Sequence, residues 1–118
     1  TAVLAPGGSH LVVAAGPEVT LATTPPEHFC RPAVDPMLRS VAAIFGVRAA
    51  AVVLTGMGCD GGAGAVAVNA AGGLVLAQDQ ASSVVWGMPG AVVERGAARE
   101  VLPIQELARR VAEIAGAA

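Results

Sequence analysis

The segment Val52 to Gly64 reads VVLTGMGCDGGAG and constrains the fold more than any other part of the chain. An apolar, strand-type run enters a glycine-rich turn, and apolar residues then recur at helical spacing. A strand, tight turn and helix in that order put backbone N–H groups at the carboxyl end of an α/β sheet, where such folds place their sites. The turn carries one acid, Asp60. A carboxylate does not suit a phosphate cradle; it suits a site that needs a fixed negative charge.

The rest of the chain alternates in the same way. Ala2–Ala5 reads as a short buried strand ended by Pro6-Gly7-Gly8. Leu11–Ala14 and Val19–Ala22 flank Gly16-Pro17 and predict a β-hairpin. Thr23–Pro32 is a loop. Apolar residues at 34, 37, 38, 41, 44 and 45 predict a helix over Val34–Phe45, with Asp35 in its first turn favouring the dipole and Gly46 as its stop. Ala50–Leu54, Leu74–Ala77 and Val101-Leu102 are expected as strands. Helices are expected over Ala63–Ala71, from Pro89 and over Ile104–Ile114. Near-continuous apolar strands between helices predict an α/β fold: a doubly wound, mostly parallel sheet of about four strands with an inserted β-hairpin. Residues 1–118 form no more than one domain. The chain opens inside an apolar run without an initiator methionine, which reads as a cut edge. A fragment of such a fold should carry a raw, apolar sheet edge.

Composition removes several function classes. Hydrophobic residues make up 54% and charged residues 14%, so a core can be filled and disorder is not expected. A net charge of -2 gives no basic patch for nucleic acid. All seven cations are arginines, so neither a phosphate-loop lysine nor a Schiff-base lysine exists here. The longest apolar run, Ala49–Leu54, falls far short of the roughly 20 residues of a membrane helix. No signal-peptide pattern is present. Cys30 and Cys59 form no C-x-x-C and predict reduced thiols in a cytoplasmic protein. His10, His28, Cys30 and Cys59 fit no common zinc spacing, so neither a metal nor another cofactor is expected.

The glycine turn supports two chemistries. Gly56-Met57-Gly58-Cys59-Asp60-Gly61 matches the dinucleotide pattern G-x-G-x-x-G, and Asp79 stands where a ribose-binding acid belongs. Against this, Asp60 inside a pyrophosphate cradle costs roughly 1 to 4 kcal/mol per close charge pair. The alternative is the acid of a Ser-His-Asp triad, which orients a histidine and stabilises the imidazolium. The turn's free N–H groups would then serve an oxyanion. On position alone, a turn or N-cap role for Asp60 is the plainer reading.

Four motifs decide between these. Leu54-Thr55-Gly56-Met57-Gly58-Cys59-Asp60-Gly61 resembles the LTGMGxDG motif of the chemotaxis receptor methylesterases. Ala5-Pro6-Gly7 with His10 resembles that family's APG…H segment, and Arg31-Pro32-Ala33-Val34-Asp35 its RPSVD segment. Ala77-Gln78-Asp79, Ser82-Ser83 and Gly87-Met88-Pro89 resemble the later AQD…S…GMP run. Order and spacing agree from residue 2 to about residue 104.

The resemblance implies a doubly wound domain of which this chain is the C-terminal part. It implies hydrolysis of methyl esters on receptor glutamates and deamidation of receptor glutamines, with methyl-accepting chemotaxis receptors and a receiver domain as partners. It makes Asp60 the triad acid. Gly56, Met57 and Gly58 would line the site and supply backbone donors, while Arg31, Trp86 and Met88 would lie near the substrate. The family's serine and histidine belong to an upstream part absent from this sequence. His10 matches a family histidine outside the triad, and His28 matches no catalytic position. Ser82 and Ser83 lack the G-x-S-x-G elbow. The chain alone is therefore expected to be inactive. A dinucleotide module on Gly56–Gly61 and a catalytically silent interaction domain are the alternatives.

Overall fold

The computed structural model describes residues 2–116. A hairpin comes first, with β1 (His10–Ala14) antiparallel to β2 (Glu18–Ala22). Helix α1 (Val34–Phe45) follows, and Gly46 stops it at φ 54°. Then strands and helices alternate: β3 (Ala50–Val53), α2 (Gly62–Ala70), β4 (Leu74–Gln78), α3 (Gly87–Glu94), β5 (Glu100–Leu102) and α4 (Ile104–Gly116).

The sheet is parallel, in the order β3-β4-β5. Ala50 pairs with Leu74 and Val53 with Ala77, while Leu76 pairs with Glu100 and Gln78 with Leu102. The pleat sends Ala51 and Val53 into the core with Ala65, Val68, Val75, Ala77 and Val92. That is the face covered by α2 and α3. Val52 and Leu54 point the other way and form a groove of about 390 Å³ with Ile104, Leu107, Ala108 and Val111 of α4. Helices thus sit on both faces, as the alternating pattern predicts.

Two expectations fail here. Ala2–Ala5 is not a strand, and Leu4 is 92% exposed. An apolar run becomes a strand only when another strand accepts its hydrogen bonds, and among the described residues none lies beside it. The parallel sheet consequently has three strands rather than four. Likewise α3 begins at Gly87, not Pro89. Pro89 sits within the first turn, where its missing N–H costs nothing. The raw edge does appear: β3 pairs with β4 on one side and, among the described residues, with no strand on the other.

The hairpin does not join this sheet; it packs on α1. Ser40 Oγ accepts the Val13 N–H at 2.9 Å and donates to Met37 O at 2.7 Å. Fully buried His10 accepts the Ala33 N–H on Nδ1 at 3.1 Å and donates from Nε2 to Pro25 O at 3.0 Å. His10 therefore fixes the loop that leads into α1.

Candidate functional site

The turn after β3 places Asp60 at the carboxyl end of the sheet, 8% exposed. Gly58 and Gly61, at φ 88° and 98°, supply the left-handed backbone it needs. The Asp60 carboxylate faces the first turn of α1. Oδ2 accepts the Val34 N–H at 2.7 Å, and Oδ1 accepts the Asp35 N–H at 3.0 Å. These two donors have no partner inside their own helix. Asp60 is thus a cap, but of a helix 25 residues away rather than of the helix it precedes.

Asp35 returns the contact. Only 1% exposed, its Oδ1 accepts the N–H groups of Gly61 at 3.0 Å and Gly64 at 2.7 Å, at the start of α2. The deepest line of α1 runs through Asp35, Leu38 and Ala42, so an acid stands inside its apolar face. Gly64 makes this approach possible. A Cβ there would lie 2.6 Å from Leu38 Cβ and 3.1 Å from Asp35 Oδ1. Two helix N-termini and four backbone donors together offset the charge of two neighbouring carboxylates.

His28 completes the group. Its Nε2 meets Asp35 Oδ2 at 2.7 Å, and its Nδ1 lies 3.5 Å from Cys59 Sγ. The ring is delivered by a tight reversal in which Glu27 and Cys30 exchange backbone hydrogen bonds of 3.0 and 2.9 Å. The central residues His28 and Phe29 have φ 52° and 63°, a conformation costing L residues roughly 1–2 kcal/mol each. A fork from Arg39 to Glu27, at 2.9 and 2.6 Å, anchors the reversal on α1. The Arg39 hydrogen bond holds the Glu27 carboxyl below its usual range, and Glu27 raises the Arg39 guanidinium in return. Arg31 also holds the loop, donating to Thr23 O and Thr24 O at 3.2 and 3.4 Å.

The other residues singled out by sequence fall into three places. Met57 and Gly58 are exposed at the tip of the turn. Gly56 lies deeper, against Met88, which packs on the core. Trp86 donates from Nε1 to Gln78 O at 2.7 Å and lines a cleft of about 530 Å³ with Cys59 and Gly87. Arg31 is exposed on the 23–32 loop, turned toward that loop's own carbonyls.

Three residues that sequence reasoning passed over turn out to shape the site. Asp35 reads in the sequence as a first-turn acid favouring the dipole and as the end of the RPSVD-like segment, yet it binds His28 and α2. His28 carries no motif that would have marked it. Gln78, 2% exposed, accepts the Thr55 N–H at 2.7 Å and donates to Ser82 O at 2.8 Å, which pins the end of β3 to the 79–86 loop. Its place in Ala77-Gln78-Asp79 was the available signal.

This geometry narrows the chemistry. No triad assembles from the chain's own serine and histidine candidates. Ser82 Oγ donates to Asp79 Oδ1 at 2.7 Å and accepts from Gln78 and Ile104. His10 is committed to Ala33 and Pro25. Pyrophosphate binding is also disfavoured, because Asp35 already occupies the N–H groups at the head of α2 that a dinucleotide would need. His28, Asp35 and Asp60 bring ligand-type atoms within 4.8 Å of one another. All four carboxylate oxygens, however, already accept N–H groups. That is the donor set of paired caps rather than of a metal centre.

Comparison with known proteins agrees with this architecture. The family model for CheB methylesterase matches residues 1–111. A protein-glutamate methylesterase/protein-glutamine glutaminase of Paramagnetospirillum magneticum is 54% identical over 115 residues, covering 95% of this chain and 30% of the relative. One from a Nocardioides species is 56% identical over 110 residues, covering 91% and 30%. The crystal structure of the Thermotoga maritima CheB methylesterase catalytic domain superposes with a TM-score of 0.88 at 40% identity, covering 92% of this chain and 59% of that one. The chain thus spans about a third of the curated relatives' length. Among the described residues, no helix is long and apolar enough to cross a membrane. With the motif series and the α/β architecture in agreement, the chain belongs to the CheB methylesterase family.

Proposed function

We propose that this chain is the acid-bearing, C-terminal part of a protein-glutamate methylesterase and glutamine deamidase acting on chemotaxis receptors. In this reading Asp60 orients a histidine supplied from sequence outside the chain, and that histidine activates a serine nucleophile. The observation that carries the reading is the clamp on Asp60. Two backbone N–H groups fix its carboxylate at the end of β3, and each oxygen keeps a further acceptor position for an imidazole N–H. Gly56, Met57 and Gly58 line the approach, with Met57 and Gly58 as sources of backbone donors to an oxyanion. Arg31, Trp86 and Met88 lie on the substrate side. The free edge of β3 and the apolar groove along Val52 and Leu54 provide the surface on which the rest of the domain docks. A receiver domain and a cytoplasmic location belong to the same reading.

The test is ester hydrolysis on methylated receptor peptide by the natural-length protein and its Asp60→Asn variant. Removing the charge of a triad acid lowers turnover by about 10⁴-fold. The variant should fold, as judged by circular dichroism, and lose activity on that scale. Unchanged activity would remove Asp60 from the mechanism. No activity in either protein would identify a silent interaction domain.

A further inference from the structure

Cys59, His28 and Asp35 form a constellation that the proposed ester chemistry does not use. Cys59 Sγ lies 3.5 Å from His28 Nδ1, and His28 Nε2 lies 2.7 Å from Asp35 Oδ2. Asp35 is buried and accepts two backbone N–H groups on its other oxygen, so it cannot turn away. A carboxylate beside Nε2 selects the tautomer that carries its proton there. Nδ1 is left with a lone pair facing the thiol. Nucleophile, base and positioning carboxylate are thereby arranged in series. Cys59 is exposed and opens on the cleft that Trp86, Gly87, Gly90 and Glu94 also line.

We propose that Cys59 is a thiol-modification site for small aliphatic disulfides that carry amino groups. His28 Nδ1 accepts the thiol proton as Cys59 Sγ attacks one sulfur of the disulfide R–S–S–R. The Cys59–S–S–R bond forms, the original S–S bond breaks, and RS⁻ leaves and takes the proton from the imidazolium. No outside oxidant is needed, because the disulfide itself is reduced. Asp35 stabilises the ring while it is charged. The cleft receives the departing and retained arms. The amino preference follows from Glu94, the one charged residue among those that line the cleft; Asp35 and Asp60 are buried and already met by backbone N–H groups. The proposal does not depend on the methylesterase reading.

Cys30 provides an internal control. It too is exposed, and among the described residues its thiol makes no side-chain hydrogen bond. The natural-length protein is treated with cystamine, and mixed-disulfide formation at each thiol is followed by peptide mass spectrometry. Cys59 should react about tenfold faster than Cys30. In His28→Asn that advantage should fall to parity while the Cys30 rate stays constant. Dithiodiglycolate, with acidic arms, should react at Cys59 several-fold more slowly than cystamine. Equal rates at the two thiols in the unmodified sequence, or an advantage that survives His28→Asn, overturns the site. Equal rates for the two reagents overturn the charge preference.

Discussion

Asp35 and Asp60 each cap the helix that the other introduces. Asp60 takes the first N–H groups of α1, and Asp35, on α1, takes those of α2. The exchange locks the crossing of the two helices and the position of the Asp60 carboxylate in one step. A buried backbone donor left without its acceptor costs about 1–3 kcal/mol. Asp35→Ala and Asp60→Ala each abandon two backbone donors, the former also releasing His28 Nε2, and each should lower unfolding stability in urea by about 2–4 kcal/mol. Both caps depend on the same crossing of α1 and α2, so the effects should not add. A double-mutant cycle should give a coupling of about 1 kcal/mol or more. Additivity within a few tenths of a kcal/mol would mean two independent caps.

That relationship shows what the sequence could and could not carry. Periodicity located α1 within Val34–Phe45 and β3 and α2 on either side of the glycine turn, because each obeys a local rule. Local rules also put Asp35 in a first turn and Asp60 in a tight turn. They have no means of bringing residues 25 positions apart into contact. Only the close docking of α1 on α2 over Gly64 does so. Ala2–Ala5 errs in the opposite direction: it satisfies the local rule for a strand but has no partner among the described residues. Asp60 is legible as a candidate site residue because the motif series marks it. His28 is not, since its position depends on two left-handed residues that nothing in Glu27-His28-Phe29-Cys30 announces.

The reversal that presents His28 should respond to acid through Glu27. The hydrogen bond from Arg39 sets the folded pKa of Glu27 below its ordinary value of 4.5. A depressed carboxyl stabilises the fold above the unfolded pKa, and the contribution disappears as pH falls through the lower, folded value. Both side chains are partly solvated, so the pair contributes at most about 1 kcal/mol. Glu27→Gln should therefore be less stable than the parent at pH 7 by no more than that, and equally stable below the folded pKa. In 1 M NaCl the pH 7 difference should shrink. Chemical denaturation across a descending pH series, repeated at pH 7 with and without 1 M NaCl, checks both points. A difference that grows on acidification would contradict the assignment.

Gln78, buried at the end of β4, is the last element holding the site. Its side chain joins the Thr55 N–H, just before the glycine turn, to Ser82 across the 79–86 loop. Its carbonyl receives the Trp86 indole N–H at 2.7 Å. Gln78→Leu keeps the volume and the backbone contact to Trp86 but orphans the Thr55 N–H, which is partly buried. One lost acceptor beside a strand end costs about 1–3 kcal/mol. The larger effect should be local, because β3 then loses one of its ties at Thr55 and keeps only the Oγ1 hydrogen bonds to Val85 there. Amide hydrogen exchange should accelerate at Thr55 and through residues 56–59, while exchange at Val75 and Val92, in the core, should track only the global loss. Uniform acceleration across the chain would show that Gln78 supports the fold without positioning the turn.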